Sequence, residues 1–115
     1  MKITKKHFEL FEKACNDYLK LFKINDYKIW IEKKSIRNAD TQAAISLSGN
    51  VTFTINTDID FGNRNIEDEI DELAKHEVIH CLIGRLSGLA RVRWCSESEF
   101  NDEEEHLVRK LTKLL

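Results

Sequence analysis

His76-Glu77-Val78-Ile79-His80 constrains this chain more than any other segment. The run reads H-E-x-x-H inside a segment of helical periodicity, and residues four apart on an α-helix stand one above the other on one face. Their Cα atoms are then about 6 Å apart, a spacing at which two imidazoles can share one ion. Glu77 lies beside such an ion without having to join its ligands. Ile66, Ile70, Leu73, Ala74, Glu77, His80 and Cys81 recur at intervals of three and four, so one stripe must serve both the core and the histidine pair. The spacing predicts a helix over 66–83. Glu67, Asp68, Glu69, Asp71 and Glu72 crowd its first turns, where the helix dipole favours acids. Gly84 is its expected stop.

Three specified positions recur by chance on the order of once in a few hundred chains of this length, so the surrounding sequence has to carry the reading. The chain has 115 residues, 42% of them hydrophobic and 33% charged. That predicts a single globular domain over 1–115 with one core. A net charge of -2 gives no general attraction to nucleic acid or anionic lipid. Cys15, Cys81 and Cys95 are an odd number without a C-x-x-C pair, which argues against a disulfide framework or cysteine zinc finger and for reduced thiols. Glu9, Glu12, Lys13, Asp17 and Lys20 interrupt the apolar residues between Phe8 and Phe22. No secretory leader or membrane span is expected there, and the expected location is the cytoplasm.

The pattern predicts an α+β fold. Phe8, Phe11, Cys15, Tyr18, Leu19 and Phe22 form the stripe of an amphipathic helix over 5–23, with Thr4 as N-cap and Asn25-Asp26 as the turn that follows. Such an aromatic stripe is core packing. Tyr27 to Glu32 and Val51 to Ile55 alternate at the period of half-buried strands, and Ala43 to Leu47 is a third, shorter one before the Ser48-Gly49-Asn50 turn. These three suggest an antiparallel meander. Arg85 to Ser98 has no clear period and reads as a loop over the site. A terminal helix is expected from Phe100 to Leu115.

A catalytic zinc ion takes three protein ligands and keeps a fourth position for water. Downstream of His80 the donors are Glu97, Glu99, Asp102, Glu103, Glu104, Glu105 and His106. With about 100° per residue, Phe100, Leu107, Val108, Leu111, Leu114 and Leu115 define one apolar sector. Glu104 lies near its middle and Glu103 at its edge, while Glu105 and His106 point towards solvent. A carboxylate centred in an apolar stripe is costly unless paired or metal-bound, which singles out Glu104 as third ligand beside His76 and His80. For Glu103 and Glu105 the helix dipole is sufficient reason to be there.

His76-Glu77-Val78-Ile79-His80, followed by Glu103-Glu104-Glu105-His106-Leu107-Val108, resembles the gluzincin pattern of zincin-like metallopeptidases. It also resembles short phage- or prophage-encoded metallopeptidases and, more distantly, peptidases of the ImmA/IrrE type. The resemblance covers roughly residues 66–111. It implies a minimal zincin-like domain, a zinc cofactor, Glu77 as catalytic base and the opening glutamate of the last helix, Glu104, as third ligand. It further implies a protein or peptide substrate lying along a sheet edge, which Ala43 to Leu47 or Val51 to Ile55 would supply, and a host cytoplasm for a phage-encoded chain.

The expected chemistry is peptide hydrolysis with zinc activating water and Glu77 acting as general base. Arg85, Arg91, Arg93, Tyr27 and His106 are candidates to stabilise the oxyanion, and the sequence does not rank them. Two other classes compete. One is a non-catalytic binding protein with a structural or vestigial metal, against which the retained Glu77 argues. The other is an α+β interaction module in which both histidines are packed residues. Arg91-Val92-Arg93-Trp94 reads as surface rather than nucleic-acid contact in an acidic chain, and Cys81 as buried filler.

Overall fold

The computed structural model describes residues 2–25, 27–46, 48–91 and 97–114. Its elements run α1 (Lys5–Leu21), β1 (Lys28–Lys34), β2 (Thr41–Ile45), β3 (Asn50–Asn56), α2 (Ile66–Arg91) and α3 (Glu97–Leu114). The class is α+β, as the alternating periods predict.

Thr4 starts α1 through a reciprocal pair of bonds. Its Oγ1 accepts from the His7 backbone N–H at 3.2 Å, and His7 Nδ1 accepts from the Thr4 N–H at 3.2 Å. Two donors that the helix leaves orphaned are thereby satisfied. At the other end Lys23 takes φ 57°, with Ile24 N–H bonded to Leu19 O at 2.9 Å and Lys23 N–H to Lys20 O at 3.1 Å. That left-handed stop ends the helix, and Asp26 of the expected Asn25-Asp26 turn lies outside the described residues. Phe11, Cys15 and Leu19, at intervals of four, are its buried line.

The sheet is mixed, in the order β1-β3-β2. The antiparallel meander is therefore corrected. β1 pairs with β3 in parallel, Ile29 opposite Val51 and Ile31 opposite Phe53, while β2 pairs antiparallel with β3, Ala43 opposite Phe53. Strand period fixes which face a residue takes and leaves its partner open. Central β3 carries Val51, Phe53 and Ile55, all fully buried, and β2 is left as an edge.

α2 begins at Asn65, whose Oδ1 accepts from the Asp68 N–H at 3.1 Å. It packs on α1 and β2 with Ile70, Ala74, Val78 and Cys81 in the core. Gly84 does not end it. A Cβ at Gly84 would come within 2.8 Å of Ile45 Cδ1, so the glycine makes room for that side chain of the edge strand, and the helix continues to Arg91. The expected loop over 85–98 is thus helical on both flanks. Its middle, 92–96 with Val92, Arg93, Trp94 and Cys95, lies outside the described residues, as do Leu47 and Leu115. No helix among the described residues is long and apolar enough to cross a membrane.

Candidate metal centre

The candidate centre lies where α2, α3 and the start of β2 converge. His76 and His80 stand one turn apart on α2 with ring centroids 5.0 Å apart. Glu105 of α3 bridges them. Its Oε1 is 3.0 Å from His76 Nε2, and its Oε2 is 3.1 Å from His80 Nε2. Among the described residues these three form a group whose donor atoms all lie within 4.8 Å of one another.

Glu104, which the sequence singles out, sits against the other nitrogen of His80, with Oε1 3.8 Å from Nδ1. Its side chain is 14% exposed and that of Glu105 is 34% exposed. The apolar sector therefore identified the more buried glutamate, and the more exposed neighbour is the one that reaches both imidazoles. α3 turns Glu105, Val108 and Thr112 along one line. Thr112 is buried because its hydroxyl donates to Val108 O at 2.7 Å, which hides a polar residue on the packed face. The side chains of Phe100, Leu107, Leu114, Glu103 and His106 lie outside the described residues.

Glu77 is 4% exposed. Thr41 Oγ1 at the start of β2 donates to its Oε2 at 2.5 Å. Burial pushes the Glu77 carboxyl up to about 7, with the Thr41 bond opposing that rise and the Glu105 charge adding to it. Burial also pulls His76 below the ordinary histidine range, against the Glu105 carboxylate, which pulls the other way. A neutral imidazole is the form that ligates a cation.

A cavity of about 310 Å³ opens beside the group, walled by Asp40 and Thr41, by Glu72, Leu73, His76 and Glu77 of α2, and by Thr112. Arg109 stands one turn beyond Glu105, with Nε 3.6 Å from Oε1. Of the oxyanion candidates, Tyr27 packs half-buried against the core. Arg93 and the side chains of Arg85 and Arg91 lie outside the described residues. Cys15 and Cys81 are buried and neither is in a disulfide among the described residues.

Sequence reasoning weighed Glu105 and set it aside in favour of Glu104, and it did not single out Thr41 or Arg109. The i,i+4 spacing of Glu105 and Arg109 was a signal for a shared face. Thr41 gave none beyond lying two and four residues before Ala43 and Ile45 on one side of a strand.

The chain matches no protein-family model and no curated protein. Its fold is similar to the crystal structure of the metallopeptidase zymogen of Methanocaldococcus jannaschii jannalysin. That likeness has a TM-score of 0.50 and 21% sequence identity, covering 96% of this chain and 97% of that chain. At this identity the likeness is one of fold.

Proposed function

We propose that this chain is a zinc-dependent metallopeptidase of gluzincin type, with His76, His80 and Glu105 as ligands and Glu77 as general base. One observation carries the reading: a single carboxylate from α3 faces the Nε2 atoms of both H-E-x-x-H histidines. Ligands about 2.1 Å from a tetrahedral zinc ion stand roughly 3.4 Å apart. The two histidine nitrogens stand 3.0 and 3.1 Å from the two oxygens of one carboxylate, and the donor atoms of the three residues all lie within 4.8 Å of one another. Two neutral imidazoles and one carboxylate are also a donor set that suits zinc. The fold likeness to a metallopeptidase zymogen supports the same reading.

When bound, a zinc ion supplies the Lewis acidity that polarises a carbonyl and acidifies water to a pKa of about 7. The chain's own groups do the rest. With Oε2 held by Thr41, Glu77 takes the proton of the attacking water on Oε1 and returns it to the leaving amine. Glu104, behind Nδ1 of His80, orients the imidazole as carboxylates beside metal-bound histidines do.

β2 supplies the substrate edge. Asn56 N–H bonds to Asp40 O and Ser46 N–H to Asn50 O, so by alternation the even residues of β2 bond to β3. Thr41, Ala43 and Ile45 turn their backbone groups to the open edge, where an extended peptide can add as a strand. A reducing cytoplasm, the host's for a phage-encoded chain, suits Cys15 and Cys81 as reduced thiols.

The test is zinc content and peptide hydrolysis of untagged wild type, His80→Ala and Glu77→Gln. We expect one zinc per chain in wild type, loss of zinc in His80→Ala, and zinc without turnover in Glu77→Gln. Wild type that takes up no zinc sinks the reading. Zinc without hydrolysis of any peptide leaves a binding protein.

A further inference from the structure

We infer that Thr41 is the positioning residue for Glu77, tying the general base to the strand along which a peptide would lie. The inference rests on the metallopeptidase reading above.

Thr41 holds two places at once. Its side chain faces the core and donates to Glu77 Oε2 at 2.5 Å, across 36 residues of sequence, with both partners buried. Its backbone N–H and C=O belong to the set that alternation turns to the open edge of β2. A peptide added to that edge would bond beside the residue that holds the base. Glu77 has three side-chain torsions, and a carboxylate that can rotate is a poorly aimed base. A fixed donor on Oε2 selects one rotamer and leaves proton transfer to Oε1.

The support beneath Thr41 is itself buried. Asn56, at the end of β3, is 8% exposed. Its Nδ2 donates to Ile36 O at 3.1 Å and Ala39 O at 2.9 Å, and its Oδ1 accepts from the Ile36 N–H at 3.2 Å. Asn56 N–H bonds to Asp40 O at 2.8 Å. The connection that delivers Thr41 is therefore clamped to the central strand. The cavity wall formed by Asp40, Thr41 and Glu77 brings strand start and base to the same space.

A purely structural bond would matter only for folding, and Thr41→Val keeps the shape while removing the hydroxyl. We expect Thr41→Val to retain one zinc per chain and to lower kcat about tenfold or more, since small misplacements of reacting groups cost that much. KM on a fluorogenic peptide chosen from a mixed library should stay within about twofold, because the edge backbone is untouched. Thr41→Ser, which restores the donor, should recover most of the kcat. In metal-free protein carrying ¹³C-labelled glutamate, the carboxyl resonance assigned by its loss in Glu77→Gln should move in Thr41→Val and return in Thr41→Ser.

An active wild type matched in kcat by Thr41→Val overturns the positioning role alone. So does a Thr41→Val loss that Thr41→Ser fails to recover, or a resonance that does not move. A wild type that binds zinc and cleaves nothing overturns the metallopeptidase reading, and the positioning role with it.

Discussion

Two adjacent glutamates divide the environment of His80 between them. Glu105 faces Nε2 at 3.1 Å and Glu104 stands 3.8 Å from Nδ1. If one binds the ion and the other orients the ring, their removal has unequal effects. Glu105→Ala should abolish stoichiometric zinc, while Glu104→Ala should keep it with an affinity weaker by roughly tenfold. Isothermal titration would reveal the reverse order if Glu104 were the ligand. Glu77 makes a second prediction at this scale. Its carboxyl rises from an ordinary 4.5 to about 7, first because it is buried. Between those values the folded, metal-free chain holds a proton that the unfolded chain has released. Stability therefore falls as pH rises through that window and stays lower above it, by roughly 3 kcal/mol. Glu77→Gln carries no such penalty. Without metal it should melt above wild type at pH 8, with the difference closing towards pH 4.5. Equal melting temperatures at pH 8 would contradict the buried, destabilised carboxylate.

Element boundaries follow from backbone chemistry that side chains only partly announce. Lys23 ends α1 in a left-handed conformation, φ 57°, with both bonds of the helix stop in place. Glycine adopts that conformation without the steric cost a lysine bears, so Lys23→Gly should stabilise the fold by about 1 kcal/mol in chemical denaturation. A loss of stability would mean the lysine side chain contributes more than its backbone costs. The face of each element was legible: Phe11, Cys15 and Leu19 are buried, as are Val51, Phe53 and Ile55. The pairing was not, because period two is the same for parallel and antiparallel neighbours. Gly84 misled for a related reason. Read along the chain it is a helix stop, whereas across the fold it makes room for Ile45. The placement of His76 and His80 side by side was legible because one helix face defines their geometry. The placement of Glu105 against both was not, since it depends on how α3 is rotated against α2.

At the scale of the whole molecule, the candidate centre is a cross-link between two successive helices, α2 and α3. α3 packs against α2, and among its described residues Val108 and Thr112 are buried. Beside them, Glu105 joins α3 to both histidines of α2. An ion held by ligands from both helices binds the folded chain and has little to hold in the unfolded one. Its binding energy is then folding energy. At free zinc a thousandfold above its dissociation constant the gain is about 4 kcal/mol, which for a chain of this size raises Tm by roughly 15 °C. The location of the gain is the sharper prediction. α1 has its own cap, stop and core line, and the Tyr18 hydroxyl also ties it to Asp71 of α2 at 2.7 Å. Its amides should change little in hydrogen exchange when zinc is added. Amides of α3 should slow most, because Glu105 gives that helix a tether its packing alone does not provide. Glu105→Ala should erase the slowing in α3 even at zinc concentrations where the histidine pair still takes up metal. If α3 slows equally in that variant, metal binding does not run through Glu105. If no segment slows in wild type, the three side chains are a packed cluster and the linkage between metal and fold is absent.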